Sequence, residues 1–233
     1  ETSAERIRRM GEPASRVAVI GSPAADGLER IEPMDDDAAR ELGDPSGVFL
    51  MHPIGRHPEE EEHAAAVALE GLLDGLGGGG AHGGDAVLAL DPNHDPGRAG
   101  IVRTLDAFEA SGRIARRRHL TRGVFVSLLK RLAAGGGVLA GNSSAGLIEG
   151  AMLRVPAVNV GPRQGGRERA GNVVDSDGAS PESVASAVRE ARGLALASLE
   201  HPYGDGRAGE RAARALAALD PNDSALIRKR NAY

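Results

Sequence analysis

The chain has 233 residues, of which 41% are hydrophobic and 26% charged, the balance of a globular protein with one ordinary α/β domain or two small ones. A formal net charge of −5 and only 2% aromatic residues argue against a nucleic-acid surface, which needs basic patches and stacking rings. With no cysteine there are no disulfides and no thiolate chemistry, no apolar run approaches the length of a membrane span, and the N-terminus lacks a signal-like apolar stretch, so the expected setting is the cytoplasm.

Residues 4–10 read as the end of a helix closed by Gly11. The apolar run 16–20 reads as a buried strand that ends in the turn Gly21, Ser22, Pro23. Asp35, Asp36 and Asp37 suit the positive start of a short helix. A regular alternation follows. Strands are expected at 48–51, 86–90, 114–118, 138–140 and 157–160. Helices are expected at 58–76, 101–111, 124–133, 145–153, 181–192 (with Ser180 as N-cap) and 207–219. The low-complexity stretch 77–84 reads as a flexible connector. Strands alternating with helices at this spacing predict an α/β fold, a doubly wound parallel sheet of Rossmann-like type.

In such sheets ligands bind beyond the carboxyl ends of the strands. Four turns lie there: His52 and Pro53; Asp91 to Asp95; Gly141 to Ser144; and Gly161 to Gln164. In the third, a strand leads through Asn142, Ser143, Ser144 and Gly146 into a helix. Serine hydroxyls and unpaired helix-start amides suit a pyrophosphate, and Glu149 could accept hydrogen bonds from a ribose diol. The alternative is Ser143 as a simple N-cap and Glu149 as a solvated helix residue. In the fourth, Arg163, Arg167 and Arg169 could neutralise a diphosphate, or form a solvated basic loop. His52 could donate to a phosphate or move a proton, or be structural. Asn93 and Asp95 lie in a Pro-Asn-His-Asp-Pro-Gly string whose plain reading is turn chemistry. His57 and His63 are close in sequence but match no zinc spacing, so no metal is expected.

Together these turns resemble those of the hydrolysing UDP-N-acetylglucosamine 2-epimerases. Residues 141–149 resemble that family's serine-rich motif, and 156–172 its next motif. His52–Pro53, residues 92–97 and the Tyr203, Gly204, Asp205, Gly206 string fall in the expected order. Residues 6–12 and 19–23 resemble its interdomain passage. The resemblance implies the C-terminal domain of a GT-B-type two-domain enzyme: residues 1–15 as the interdomain passage, 16–205 as the UDP-binding domain, and 206–233 as a C-terminal helix and tail. It implies Asn142, Ser143, Ser144 and Gly146 at the diphosphate, Glu149 at the ribose and Arg163 at the nucleotide. Asn93 and Val124 would line the uridine pocket, and His52 would be catalytic beside the leaving diphosphate. Asp95, Gln164 and Arg167 are further candidates for sugar or phosphate contact. UDP would leave by elimination to a glycal, and water would then add to give the free 2-epimer sugar, with no cofactor and no metal.

The chain opens with Glu1, and the family's N-terminal domain, which carries its acidic catalytic residues, would precede it. The implied partners are therefore a UDP-sugar substrate and that N-terminal domain, with a homo-oligomer left open and neither nucleic acid nor membrane. The chain alone is expected to be inactive. A free-standing nucleotide-sugar-binding module and half of a GT-B UDP-sugar glycosyltransferase are the competing readings. Which UDP-sugar is the substrate is not readable from these residues.

Overall fold

The computed structural model describes residues 2–77 and 86–223. The expected connector at 77–84 lies outside them except for Gly77, which ends its helix in a left-handed conformation. The chain forms two compact units, residues 29–201 and a smaller one made of residues 1–28 and 202–233.

The larger unit holds a sheet of six parallel strands: β1 (Pro45–Leu50), β2 (Ala86–Leu90), β3 (Ala115–Arg117), β4 (Val138–Gly141), β5 (Ala157–Val160) and β6 (Val173–Ser176). Their spatial order is β3-β2-β1-β4-β5-β6, so the direction of winding reverses between β1 and β4. Six helices in chain order are α2 (Asp36–Glu41), α3 (Pro58–Leu76), α4 (Arg98–Ala110), α5 (Arg122–Gly135), α6 (Ser144–Leu147) and α7 (Glu149–Leu153), followed by α8 (Pro181–Arg192). Both faces of the sheet are covered. Successive strand residues point to opposite sides, so Phe49 and Met51 join Leu69, Leu72, Ile101 and Val184 in one core. Val48 and Leu88 join Leu42, Leu128, Leu129 and Leu139 in the other. This two-sided burial is why the strands read as unbroken apolar runs rather than as an alternation. It is a doubly wound α/β fold of Rossmann-like type.

The smaller unit contains α1 (Thr2–Arg9) and α9 (Ala208–Ala217). The Asp26 carboxylate accepts from the amides of Ala208 and Gly209 at 2.9 and 2.6 Å and so caps α9. Arg211 makes a two-pronged contact with Asp205 at 2.6 and 2.9 Å, and the Ser22 amide donates to the Tyr203 carbonyl.

Three expectations need correction. The run 16–20 forms no strand: a 3₁₀ turn spans Ala14–Arg16 and the following residues are extended without a ladder, with Val19 52% exposed. An apolar run needs a neighbouring edge to become a strand, and the described part of this unit has none. The strand β6 was missed because Val173–Ser176 is a short, half-polar edge strand. Finally, the helix expected over 145–153 is two pieces. The break falls at Ile148, whose φ of −91° and ψ of −69° depart from the helix, and Glu149 begins the second piece instead of lying a turn inside the first.

Candidate functional site at the sheet crossover

The crevice of a doubly wound sheet opens where the winding reverses, here between the ends of β1 and β4. Gly141 ends β4 with a φ of +133°, and a Cβ there would lie 2.1 Å from the Leu50 carbonyl oxygen. Only glycine lets the two strand ends approach this closely. The approach sets Asn142 against His52. The Asn142 side chain accepts from the His52 amide at 2.7 Å and donates to the His52 carbonyl at 2.8 Å. Its own carbonyl accepts from Gln164 Nε2 at 2.7 Å and from the Arg163 guanidinium at 3.2 Å. Asn142 and Gln164 are both buried. The structure thus brings the turns after β1, β4 and β5 together through Asn142. The carboxamide of Asn142 and the nitrogen of the Gln164 carboxamide are engaged with the protein itself, while Gln164 Oε1 is buried with no partner among the described residues.

The turn after β2 joins the same cluster. The amide of Asn93 donates to His52 Nδ1 at 3.1 Å. An Nδ1 that accepts must be unprotonated, so the neutral ring carries its proton on Nε2. Burial, reinforced by the positive charge of Arg163, holds the His52 pKa down to about 4, while Asp95 acts weakly in the opposite sense. The side chain of Asn93 donates to Asp95 at 2.5 Å, and the Asp95 amide contacts Asn93 Oδ1 at 3.4 Å. These two residues therefore satisfy each other in a turn on the exposed rim.

Ser143 and Ser144 are half-buried at the start of α6. Ser143 Oγ accepts from the Ala145 amide at 3.3 Å, so it is an N-cap. The Gly146 amide donates to the Ser143 carbonyl at 3.3 Å, so the Ser144 hydroxyl and the Ser144 amide are the donors left to this turn. Buried Asn172 holds this turn from below, donating to the carbonyls of Gly146 and Val155 at 2.9 and 3.0 Å. The three arginines of the β5 turn have separate fates. Arg163 faces Asn142 and His52. Arg167 is exposed. Arg169 is bound to Asp175 at 2.9 Å, where Asn159 also donates. Glu149 stands apart from the hydrogen-bonded cluster, at the start of α7. Burial raises its pKa, offset in part by a backbone hydrogen bond and by the charge of Arg122. Val124, 40% exposed on α5, lines a separate cleft of about 440 Å³ with Ile31, Pro33, Met34 and Ser127.

Sequence reading missed Glu61, a fully buried carboxyl on α3 that holds the turn after β1. A signal was present: Glu61 falls in phase with Ala65, Ala68, Leu69 and Leu72 on the apolar stripe of the helix. Among the described residues, no group of three or more His, Asp or Glu side chains could hold a metal ion, and no helix is long and apolar enough to cross a membrane. What the cluster offers is a set of donors at the turns around the crossover, namely His52 Nε2–H, the Ser144 hydroxyl and amide, and Arg163. Such a set suits a phosphorylated ligand.

The chain is 28% identical over 239 residues to a UDP-N,N'-diacetylbacillosamine 2-epimerase (hydrolyzing) of Legionella pneumophila, covering 100% of this chain and 59% of that protein. It is 24% identical over 210 residues to a UDP-N-acetylglucosamine 2-epimerase of Neisseria meningitidis, covering 88% of this chain and 52% of that one. Among solved structures, the UDP-GlcNAc 2-epimerase of Methanocaldococcus jannaschii, in complex with UDP-GlcNAc and UDP, superposes with a TM-score of 0.68. Its identity is 15%, over 91% of this chain and 58% of that one. The chain therefore spans between half and three fifths of the length of these relatives. A family model described as UDP-N-acetylglucosamine 2-epimerase matches residues 1–217, and the chain belongs to that family.

Proposed function

We propose that this chain supplies the UDP-binding part of a hydrolysing UDP-sugar 2-epimerase. The observation that carries the reading is the joining of four strand-end turns at the crossover by Asn142 and His52. This leaves a set of donors at the strand ends, His52 Nε2–H, Ser144 and Arg163. The Ser144 hydroxyl and amide hold the diphosphate, Arg163 adds charge, and Glu149 takes the ribose diol. His52 donates from Nε2 to the departing phosphate oxygen. Such a donor acts mainly on the charge that builds up as the sugar–oxygen bond breaks, so it speeds turnover more than it tightens substrate binding.

Elimination also needs a base at the sugar C2. Both carboxylates of the turn after β2 are engaged: Asp91 is bound by Arg98 and Arg116, and Asp95 is tied to Asn93. The base is therefore supplied by residues outside this cluster. We accordingly expect no release of free 2-epimer sugar by the chain alone. The two sequence relatives are named for different sugars, UDP-N-acetylglucosamine in one and UDP-N,N'-diacetylbacillosamine in the other. Both share the UDP that these residues are proposed to hold.

The test is calorimetric titration of the chain with UDP, UMP and uridine. Expected affinity falls in that order, with UDP in the high-micromolar to millimolar range, about 4–6 kcal/mol. Equal affinity for UDP and uridine defeats the diphosphate assignment, and sugar release by the chain alone defeats the division of labour.

A further inference from the structure

Glu61 has 0% exposure, and its Oε1 accepts from the amides of Ile54 and Arg56 at 2.7 and 3.2 Å. These amides belong to the turn that begins at His52. Its other oxygen, Oε2, is buried with no partner among the described residues. Glu61 also lines a partly open cavity of about 30 Å³ together with Asn142, Arg56, Gly161 and Asp177. That is room for a water or two, and one there would complete the carboxyl's hydrogen bonding. The turn after β2 rests on the same side chain. Gly97 adopts a φ of +95°, and a Cβ on it would lie 2.9 Å from Glu61 Cγ and 3.1 Å from the Arg56 carbonyl oxygen. One buried carboxyl thus supports the loop that carries His52 and the loop that carries Asn93, and those loops meet in the 3.1 Å bond from the Asn93 amide to His52 Nδ1.

A carboxyl at this depth is costly unless its hydrogen bonds are made. An apolar residue would fill the same stripe of α3 at no such cost, so packing alone does not account for it. We propose that Glu61 is the positioning residue of this site: by fixing the 52–56 turn against the 92–97 turn it sets the tautomer and aim of the His52 ring. The effect on nucleotide binding rests on the UDP reading above, whereas the effect on His52 does not.

The experiment compares Glu61→Ala, Glu61→Gln and Glu61→Asp in the full chain. It records ring and amide nitrogen resonances by NMR and UDP affinity by calorimetry. In Glu61→Ala the His52 Nδ1 and Asn93 amide resonances should move, while those of Val174 and Val188 stay in place. UDP affinity should fall roughly tenfold, the scale of one lost hydrogen bond to a charged group. Glu61→Gln keeps an acceptor for Ile54 and Arg56 and should restore both readouts to within about threefold of the parent. If Glu61→Ala does not fold, Glu61→Asp decides, because it keeps the charge and withdraws the oxygen by one methylene; it should shift the same two resonances. Unmoved His52 and Asn93 resonances in a folded Ala or Asp variant overturn the proposal. So does a Gln variant as impaired as Ala. If the parent chain fails to bind UDP, the nucleotide reading is lost, and the resonances still decide the role of Glu61.

Discussion

Replacing Asn142 by Ala removes the one side chain that ties β1 to β4 beyond their ladder. Two hydrogen bonds vanish, the His52 amide to Oδ1 at 2.7 Å and Nδ2 to the His52 carbonyl at 2.8 Å. Each contributes about 1 kcal/mol net, and leaving the buried His52 amide unpaired adds a desolvation cost of about 1–3 kcal/mol. The expected loss is therefore about 3–5 kcal/mol, lessened where water enters. The bonds from Gln164 and Arg163 go to the Asn142 backbone carbonyl and persist in the variant. Asn142→Asp provides the sharper contrast. It keeps an acceptor for the His52 amide but sets an oxygen against the His52 carbonyl, where a donor stood. It should cost at least as much as Ala. Urea unfolding followed by far-UV circular dichroism measures both. A loss below about 0.5 kcal/mol for Ala, or a silent Asp variant, refutes the assignment of Asn142 as the clamp.

Acid stability should report His52. Its folded pKa lies near 4 against an ordinary value of 6.5, so the unfolded chain takes up a proton first. The stability is fully present above pH 6.5 and is lost as pH falls toward 4, by up to about 3 kcal/mol. Stability curves of the parent and His52→Gln should diverge over that window, and parallel curves would falsify the assignment. Saturating UDP should raise the His52 titration midpoint seen by NMR, because an anion beside the ring favours its charged form; an unmoved midpoint separates the ring from the phosphates. Glu149→Ala should weaken UDP by about 1–3 kcal/mol and barely change binding of a 2′,3′-dideoxy analogue. Equal losses for both ligands would make Glu149 a support of α7. Arg163→Ala should weaken UDP roughly tenfold, whereas Arg169→Ala should destabilise the fold and leave the affinity of the folded chain within about twofold. Calorimetry that finds the opposite ranking reverses their roles.

Legibility in the sequence followed burial. Strands β1, β2, β4 and β5 are covered on both faces and announce themselves as apolar runs. Strand β6 is an edge strand with Asp175 and Ser176 in it, and nothing in its composition separates it from a loop. The run 16–20 shows the converse, since it is apolar enough for a strand and has no ladder partner. Within the site, the turns could be found because Gly, Pro, Asn and Ser cluster after each strand. The direction in which an amide side chain points could not. Asn142 and Gln164 read as contacts for a ligand, and each instead bonds to the protein. A short string of residues cannot say whether a carboxamide faces a phosphate or a backbone carbonyl ninety residues away. Glu61 was legible in principle, because a carboxylate in the apolar phase of a helix must have a reason to be there.

The polarity of the site constrains its chemistry. Nδ1 of His52 accepts from the Asn93 amide, which leaves Nε2 as a donor. Arg163 favours the neutral ring while adding positive charge next to it. The carboxylate that acts on His52, Asp95, is bound by the side chain of Asn93 and sits on the rim. A proton acceptor strong enough to remove a hydrogen from carbon needs a free lone pair and an environment that favours its protonated form. His52 has neither: its available nitrogen already carries a proton, and its surroundings oppose a second. A diphosphate, by contrast, is served by the groups here that give hydrogen bonds or positive charge, His52 Nε2–H, Ser144 and Arg163. The same features that disqualify this cluster as a base suit it to stabilising a leaving group. That asymmetry, rather than any single residue, is why we assign it the phosphate side of an elimination.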